Sequence, residues 1–137
     1  MQKAKTKHEK TNDALKALEY FGGFEIAQMC GAMIEAYHKN MLLLIVGFVA
    51  TSAFLCAYRI ENKILGNAIF CHQSSEYAHK KMLSYIGVKP ILDIRMRLGE
   101  GTGCAVAYSL IQSAVNFMNE MASFNSAGIS NKSNEYE

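Results

Sequence analysis

The hydrophobic positions change their period several times along the chain, and each change marks an element. From Phe24 to about Lys39 the apolar residues Ile26, Met29, Cys30, Met33, Ile34 and Tyr37 recur at helical spacing, behind Gly22-Gly23. That stripe predicts an amphipathic helix. Leu42 to Val46 is a short unbroken apolar run, the pattern of a strand buried on both faces, and Val49 to about Ile60 returns to helical spacing. Ala68 to Cys71 is a second short run, ending at His72-Gln73-Ser74. Ser74 or Ser75 is placed to cap the next helix, which carries Tyr77, Met82, Leu83 and Ile86, has Glu76 in its first turn and stops at Gly87. Pro90 opens a third strand, Ile91 to Ile94. Beyond a glycine-rich turn, Val106, Leu110, Ile111, Ala114, Val115, Phe117, Met118 and Met121 mark a long helix, and the chain turns polar from Asn125.

This alternation predicts an α/β fold: a parallel sheet with helices on both faces, doubly wound in the Rossmann-like three-layer manner. Such sheets bind ligands beyond the carboxyl ends of their strands. Gly47-Phe48, His72-Gln73-Ser74 and Leu98-Gly99-Glu100 all fall at or soon after those ends, so they are expected to converge on one site. One stretch competes with this reading. Met41 to Tyr58 carries no charge over eighteen positions, the minimum for a membrane span. Gly47 interrupts it, however, and Thr51 and Ser52 follow among small residues, as in a buried strand turning into a packed helix.

Composition narrows the classes further. A chain of 137 residues is one domain, with half its residues apolar and a net charge of +2, which argues against disorder and against a dominant nucleic-acid surface. Lysines concentrate only in "MQKAKTKHEK", which lacks a secretory apolar stretch, so residues 1–13 read as a solvated basic leader and the protein as cytoplasmic. Cys30, Cys56, Cys71 and Cys104 lie far apart without C-x-x-C spacing, so neither a zinc knuckle nor a disulfide framework is expected. The adjacent Cys71 and His72 could ligate a metal, but no second pair lies at ligand spacing; the expectation is a buried thiol beside a hydrogen-bonded strand-end histidine. No P-loop, G-x-S-x-G or H-E-x-x-H motif is present.

The chemistry concentrates in "RLGEGTG", Arg97 to Gly103. A carboxylate repels phosphate, so Glu100 among three glycines reads as a proton acceptor or hydrogen-bond anchor, with capping of the following helix as the alternative. The amides of Gly101, Thr102 and Gly103 open that helix and can face a phosphate, although turn geometry alone also accounts for the glycines. Ser74 is either a helix cap or a site residue. Glu25 and Glu120 read as solvated helix-face residues or buried ion-pair partners.

The segments "GGFEIAQMCGAMIEAYHKNMLLLIVGFVATSAFLCAY", "FCHQSSEYAH", "ILDIRMRLGEGTGCAVAYSLIQSA" and "NEMASFNSAGIS" closely resemble, in the same order, the carboxyl-terminal part of the nicotinate-nucleotide–dimethylbenzimidazole phosphoribosyltransferases. The resemblance runs from about Ala14 to Ser130. It implies an enzyme of cobalamin nucleotide-loop assembly that moves the phosphoribosyl group of nicotinate mononucleotide to 5,6-dimethylbenzimidazole, giving α-ribazole 5′-phosphate and nicotinate. It also implies no cofactor, no metal, no membrane or nucleic-acid partner, and a homo-oligomer or an association with an amino-terminal fragment. Residues 14–124 then form the carboxyl-terminal part of the transferase domain and 125–137 a polar tail. The family's general base in the "LGEG" turn carries to Glu100, with Leu98 and Gly99 lining the base pocket and the "CH-x-S" serine carrying to Ser74. Two departures stand out. Val46 occupies the place of an aspartate usual before "GF", and a second acid in a "GEMGIGNTT"-like motif belongs to an upstream portion not encoded here. The alternative implied is a truncated, non-catalytic remnant that keeps an azole-binding fold.

Overall fold

The computed structural model describes residues 12–96, 100–123 and 126–128. The chain divides into two compact units, one through Ala107 and one from Tyr108 onward. The first contains, in order, α1 (Ala14–Phe21), α2 (Phe24–His38), β1 (Leu43–Val46), α3 (Gly47–Ile60), a 3-10 helix (Asn62–Asn67), β2 (Ala68–His72), α4 (Tyr77–Ile86) and the start of α5 (Thr102–Glu120). The remainder of α5 supplies most of the described residues of the second.

Local chemistry accounts for the element ends. The Asp13 carboxylate accepts from the amides of Leu15 at 2.8 Å and Lys16 at 3.4 Å, capping α1, which the apolar pattern did not reveal. After α2 the chain turns at Asn40, whose φ of 56° is a conformation asparagine tolerates better than most residues. Gly87, with φ 80°, closes α4: its amide and that of Val88 both return to the Leu83 carbonyl.

β1 and β2 pair in parallel, Leu43 with Ala68, Leu44 with Ile69 and Ile45 with Phe70, but Val46 pairs with His72. Cys71 is therefore one extra residue on β2, a bulge at the end of the pairing. Leu43 and Ile45 point into a core with Cys30, Phe54, Ala57, Ile64, Phe70, Leu83 and Ile86. Phe54 is fully buried and meets Phe70 edge-on, ring centroids 5.1 Å apart at 86°. Burial of such a ring contributes about 1.5–3 kcal/mol. The alternate residues of β1 face the first turns of α5: Gly103 abuts Val46, and the Cys104 thiol donates to the Leu44 carbonyl at 3.4 Å. Helices thus cover both faces of a two-stranded parallel sheet, as the alternating pattern predicts.

Two expectations need correction, and between them stands the uncharged stretch, where the strand running into a helix is found. The third strand, Ile91 to Ile94, pairs only at Leu92, which bridges to His72. Ile91 and Leu92 donate to the Phe70 and Cys71 carbonyls and Gln73 donates to Leu92, after which Arg95 takes a left-handed φ of 51° that ends the extended run. The uncharged stretch from Met41 to Tyr58 divides at Gly47, φ 78°, into a four-residue strand and a helix. No helix among the described residues is long and apolar enough to cross a membrane. In the second unit α5 forms as expected, but Leu110, Val115, Phe117, Met118 and Met121 are all exposed instead of packed.

Candidate active site

The carboxyl ends of the strands open into a cavity of about 500 Å³. Gly47, Phe48 and Val49 reach it from the start of α3, His72 from the end of β2, Ser74, Ser75 and Glu76 from the loop before α4, and Glu100 and Gly101 from the turn before α5. Val46 and Met96 complete the wall. The three loops expected to meet do meet. The lining combines an apolar side, Val46, Phe48, Val49 and Met96, with two carboxylates, and contains no lysine or arginine among the described residues. Such a wall suits an uncharged flat ring bearing an N–H better than it suits an anion.

Glu100 is exposed to this space and has φ 61°, followed by Gly101 at φ 80°. Two successive left-handed residues make a sharp bend, and the one with a side chain costs about 1–2 kcal/mol, a strain that accumulates at functional sites. The Gly101 carbonyl accepts from the amides of Cys104 and Ala105 and so begins α5, with Thr102 half-buried as its first residue. Gly103 is buried. A β-carbon there would stand 2.5 Å from Val46 Cγ2 and 2.8 Å from His72 Cβ, so its bare backbone lets α5 approach the strand ends. Leu98 and Gly99, expected to line the base pocket, lie outside the described residues. Glu25 and Glu120 are exposed on their helices and line neither this cavity nor its neighbour.

Ser74 borders this cavity and an adjoining one of about 470 Å³ that also holds Lys80, Asp93 and Arg95. It does not cap α4, contrary to expectation: the N-cap position is Glu76, without a side-chain cap bond. Ser74 is drawn instead to His79, whose Nδ1 lies 3.0 Å from the Ser74 amide nitrogen and 2.6 Å from Ser74 Oγ. The far side of the ring, Nε2, is 3.0 Å from Thr51 Oγ1. Burial holds the His79 imidazole below its ordinary value; Glu76 pulls the other way, and His72 adds to the lowering. The Ser74 hydroxyl, with Glu76's own backbone amide, holds the Glu76 carboxyl below the usual range.

His72 departs from expectation as well. It is 4% exposed, and its Nε2 has no hydrogen-bond partner among the described residues, so it is not the satisfied strand-end histidine that the sequence suggested. The Cys71 thiol is pushed up to about 12, by burial first and by Cys104 beside it second. A metal ligand or nucleophile would need the thiolate. No group of three His, Cys, Asp or Glu that could hold a metal occurs among the described residues. Thr51 and His79 were missed by sequence reasoning, and so was Glu76 as a wall residue; the only signal was a histidine five residues after Ser74.

A parallel β-α-β core with its cavity at the carboxyl ends of the strands is the arrangement in which α/β proteins hold their ligands. More narrowly, a model of a phosphoribosyltransferase family matches residues 1–129, and the chain belongs to that family. It is 54% identical over 121 residues to the nicotinate-nucleotide–dimethylbenzimidazole phosphoribosyltransferase of Dechloromonas aromatica (strain RCB), covering 88% of this chain and 35% of that protein. With the enzyme of the same name from Shewanella piezotolerans (strain WP3 / JCM 13877), identity is 48% over 122 residues, 89% and 36% of the two chains. The crystal structure of the same enzyme from Thermus thermophilus superposes with a TM-score of 0.84 at 29% identity, over 92% of this chain and 38% of that one. The chain thus spans little more than a third of the length of the curated relatives it matches.

Proposed function

We propose that the chain supplies the azole-facing part of a phosphoribosyltransferase site, taking the phosphoribosyl group of nicotinate mononucleotide to 5,6-dimethylbenzimidazole. The observation that carries this reading is Glu100 at a left-handed turn, bordering a cavity with one apolar wall and no cationic side chain among the described residues. One benzimidazole nitrogen attacks the ribose carbon while the other carries a proton. A carboxylate bonded to that N–H fixes the tautomer and accepts the proton as the new N–C bond forms. The bond to nicotinate breaks, and its electron pair neutralises the departing pyridinium nitrogen. Glu100 is the base in this scheme, with Ser74 contacting substrate and Gly101, Thr102 and Gly103 shaping the turn. Leu98 and Gly99 belong to the same pocket in the proposal.

Two observations favour a chain that binds the azole but turns over slowly by itself. It matches 35% of its relatives' length, and Val46, the N-cap of α3, makes no side-chain cap bond where the family resemblance expects an aspartate. The exposed apolar residues of the second unit, Leu110, Val115, Phe117, Met118 and Met121, support association with an amino-terminal portion of the transferase or with a second copy. A cytoplasmic location accords with this chemistry.

The test mixes the chain with nicotinate mononucleotide and 5,6-dimethylbenzimidazole, alone and with the upstream portion of the Dechloromonas relative, and measures α-ribazole phosphate. Little product is expected alone and measurable turnover with the added portion. Glu100→Gln should lower the complemented rate at least about a hundredfold, within the range for a lost general base. An unchanged rate would remove Glu100 from the mechanism, and failure to bind the azole at millimolar concentration would remove the reading altogether.

A further inference from the structure

Behind Ser74 a polar chain runs into the interior. Thr51 on α3 and His79 on α4 are both buried, at 0% and 1% exposure. Polar side chains at such depth are costly unless paired, and these two are paired through His79 to a residue on the cavity wall. The ring's two nitrogens have different partners, and the chemistry of those partners fixes the proton. The Ser74 backbone N–H, 3.0 Å from Nδ1, can only donate, so Nδ1 is an acceptor and carries no hydrogen. A neutral ring then has its proton on Nε2, where Thr51 Oγ1 accepts it at 3.0 Å.

The consequence falls on the Ser74 hydroxyl. Its oxygen stands 2.6 Å from Nδ1, too close for two lone pairs to face one another, so its proton is directed to Nδ1 or shared with the neighbouring Glu76 carboxylate. Both destinations are protein groups. The ligand therefore meets Ser74 as an acceptor, with its remaining lone pairs turned to the cavity. We propose that His79, held by Thr51, is a positioning residue that fixes Ser74 as a hydrogen-bond acceptor in the cavity, so that the ligand group bound there is an O–H or N–H donor, such as a ribose hydroxyl. This rests on the transferase reading for the identity of the ligand, but the proton arrangement does not.

Two measurements test it separately. Imidazole 15N NMR of the chain without substrate at pH 7.5 should show His79 protonated at Nε2 and unprotonated at Nδ1, with that pattern weakened in Thr51→Val; a proton on Nδ1 overturns the proposal whatever the activity. The second measurement is a double-mutant cycle on kcat/KM in the complemented enzyme or, where turnover is absent, on the Kd of nicotinate mononucleotide for the complemented protein. Thr51→Val and His79→Gln should each cost roughly threefold to tenfold, the worth of one hydrogen bond, appearing in KM more than in kcat. With Ser74→Ala already present, the same substitutions should cost less than about twofold, since there is no hydroxyl left to orient. Equal losses with and without Ser74 mean that His79 is merely structural and refute the assignment. If His79→Gln fails to fold, the Thr51→Val arm decides alone.

Discussion

Replacing Gly103 with alanine sets two opposed terms against each other. Alanine ordinarily stabilises a helix over glycine by about 0.5–1 kcal/mol. Here the new methyl would stand 2.5 Å from Val46 Cγ2 and 2.8 Å from His72 Cβ, distances at which something must move. Val46 is on β1 and His72 at the end of β2, so neither is the free end of a flexible side chain. Overpacking of this kind costs about 1–3 kcal/mol. The steric term wins, and Gly103→Ala should lose about 1–2 kcal/mol, a fall in Tm of several degrees for a chain of this size. Gly31, in the interior of α2 with nothing within 4 Å of its would-be β-carbon, is the internal control: Gly31→Ala should gain about 0.5–1 kcal/mol. Urea titration of both variants by circular dichroism, compared at constant slope, reads the two signs directly. Stabilisation by Gly103→Ala as large as by Gly31→Ala would show that α5 does not press on the strand ends, and the account of the close approach at Gly103 would fail.

Further outcomes follow from the same contacts. Between pH 8 and 9 Cys71 should resist iodoacetamide in the folded chain, since burial pushes its thiol up to about 12, and react once urea is added; rapid native labelling would contradict the burial. His79 is held below its ordinary 6.5, so the unfolded chain binds more protons and stability, complete above that value, should fall as pH drops toward the folded one. His79→Gln should flatten that slope, and an unaltered slope would assign it to another group. Val46→Asp places an acceptor at the N-cap of α3, a change typically worth about 1 kcal/mol, and should slow amide exchange at Phe48 and Val49. Unchanged exchange there would mean that the new carboxylate does not cap the helix.

The elements that sequence alone revealed are those whose period changes abruptly. β1 and α3 were legible because a five-residue apolar run meets Gly47, and α4 because Gly87 ends it in the left-handed conformation. The third strand was overread: "ILDI" has strand composition, but only Leu92 finds a neighbour before Arg95 bends away. The helix α1 escaped because it is only eight residues long, about two turns, and none of its residues is fully buried. In the site, Glu100 was legible from the chemical oddity of an acid among glycines, and the convergence of loops from the order of strands and helices. The Thr51–His79 contact was not, because it joins residues 28 apart whose pairing depends on how α3 meets α4. Nor was the unpartnered His72 nitrogen, since a ring's satisfaction is a property of its neighbours in space.

The extra residue at Cys71 separates two jobs that a regular strand would tie together. Upstream of it, β2 keeps the alternation that sends Phe70 against Phe54. Past it the parity is reset, and His72 sides with Val46 and Gly103. Interior volume and mouth chemistry can consequently vary by separate substitutions on one five-residue segment. Were Cys71 kept but paired regularly, His72 would fall two places after Phe70 and on its side of the sheet, sending the imidazole toward the oily interior and leaving the mouth without it.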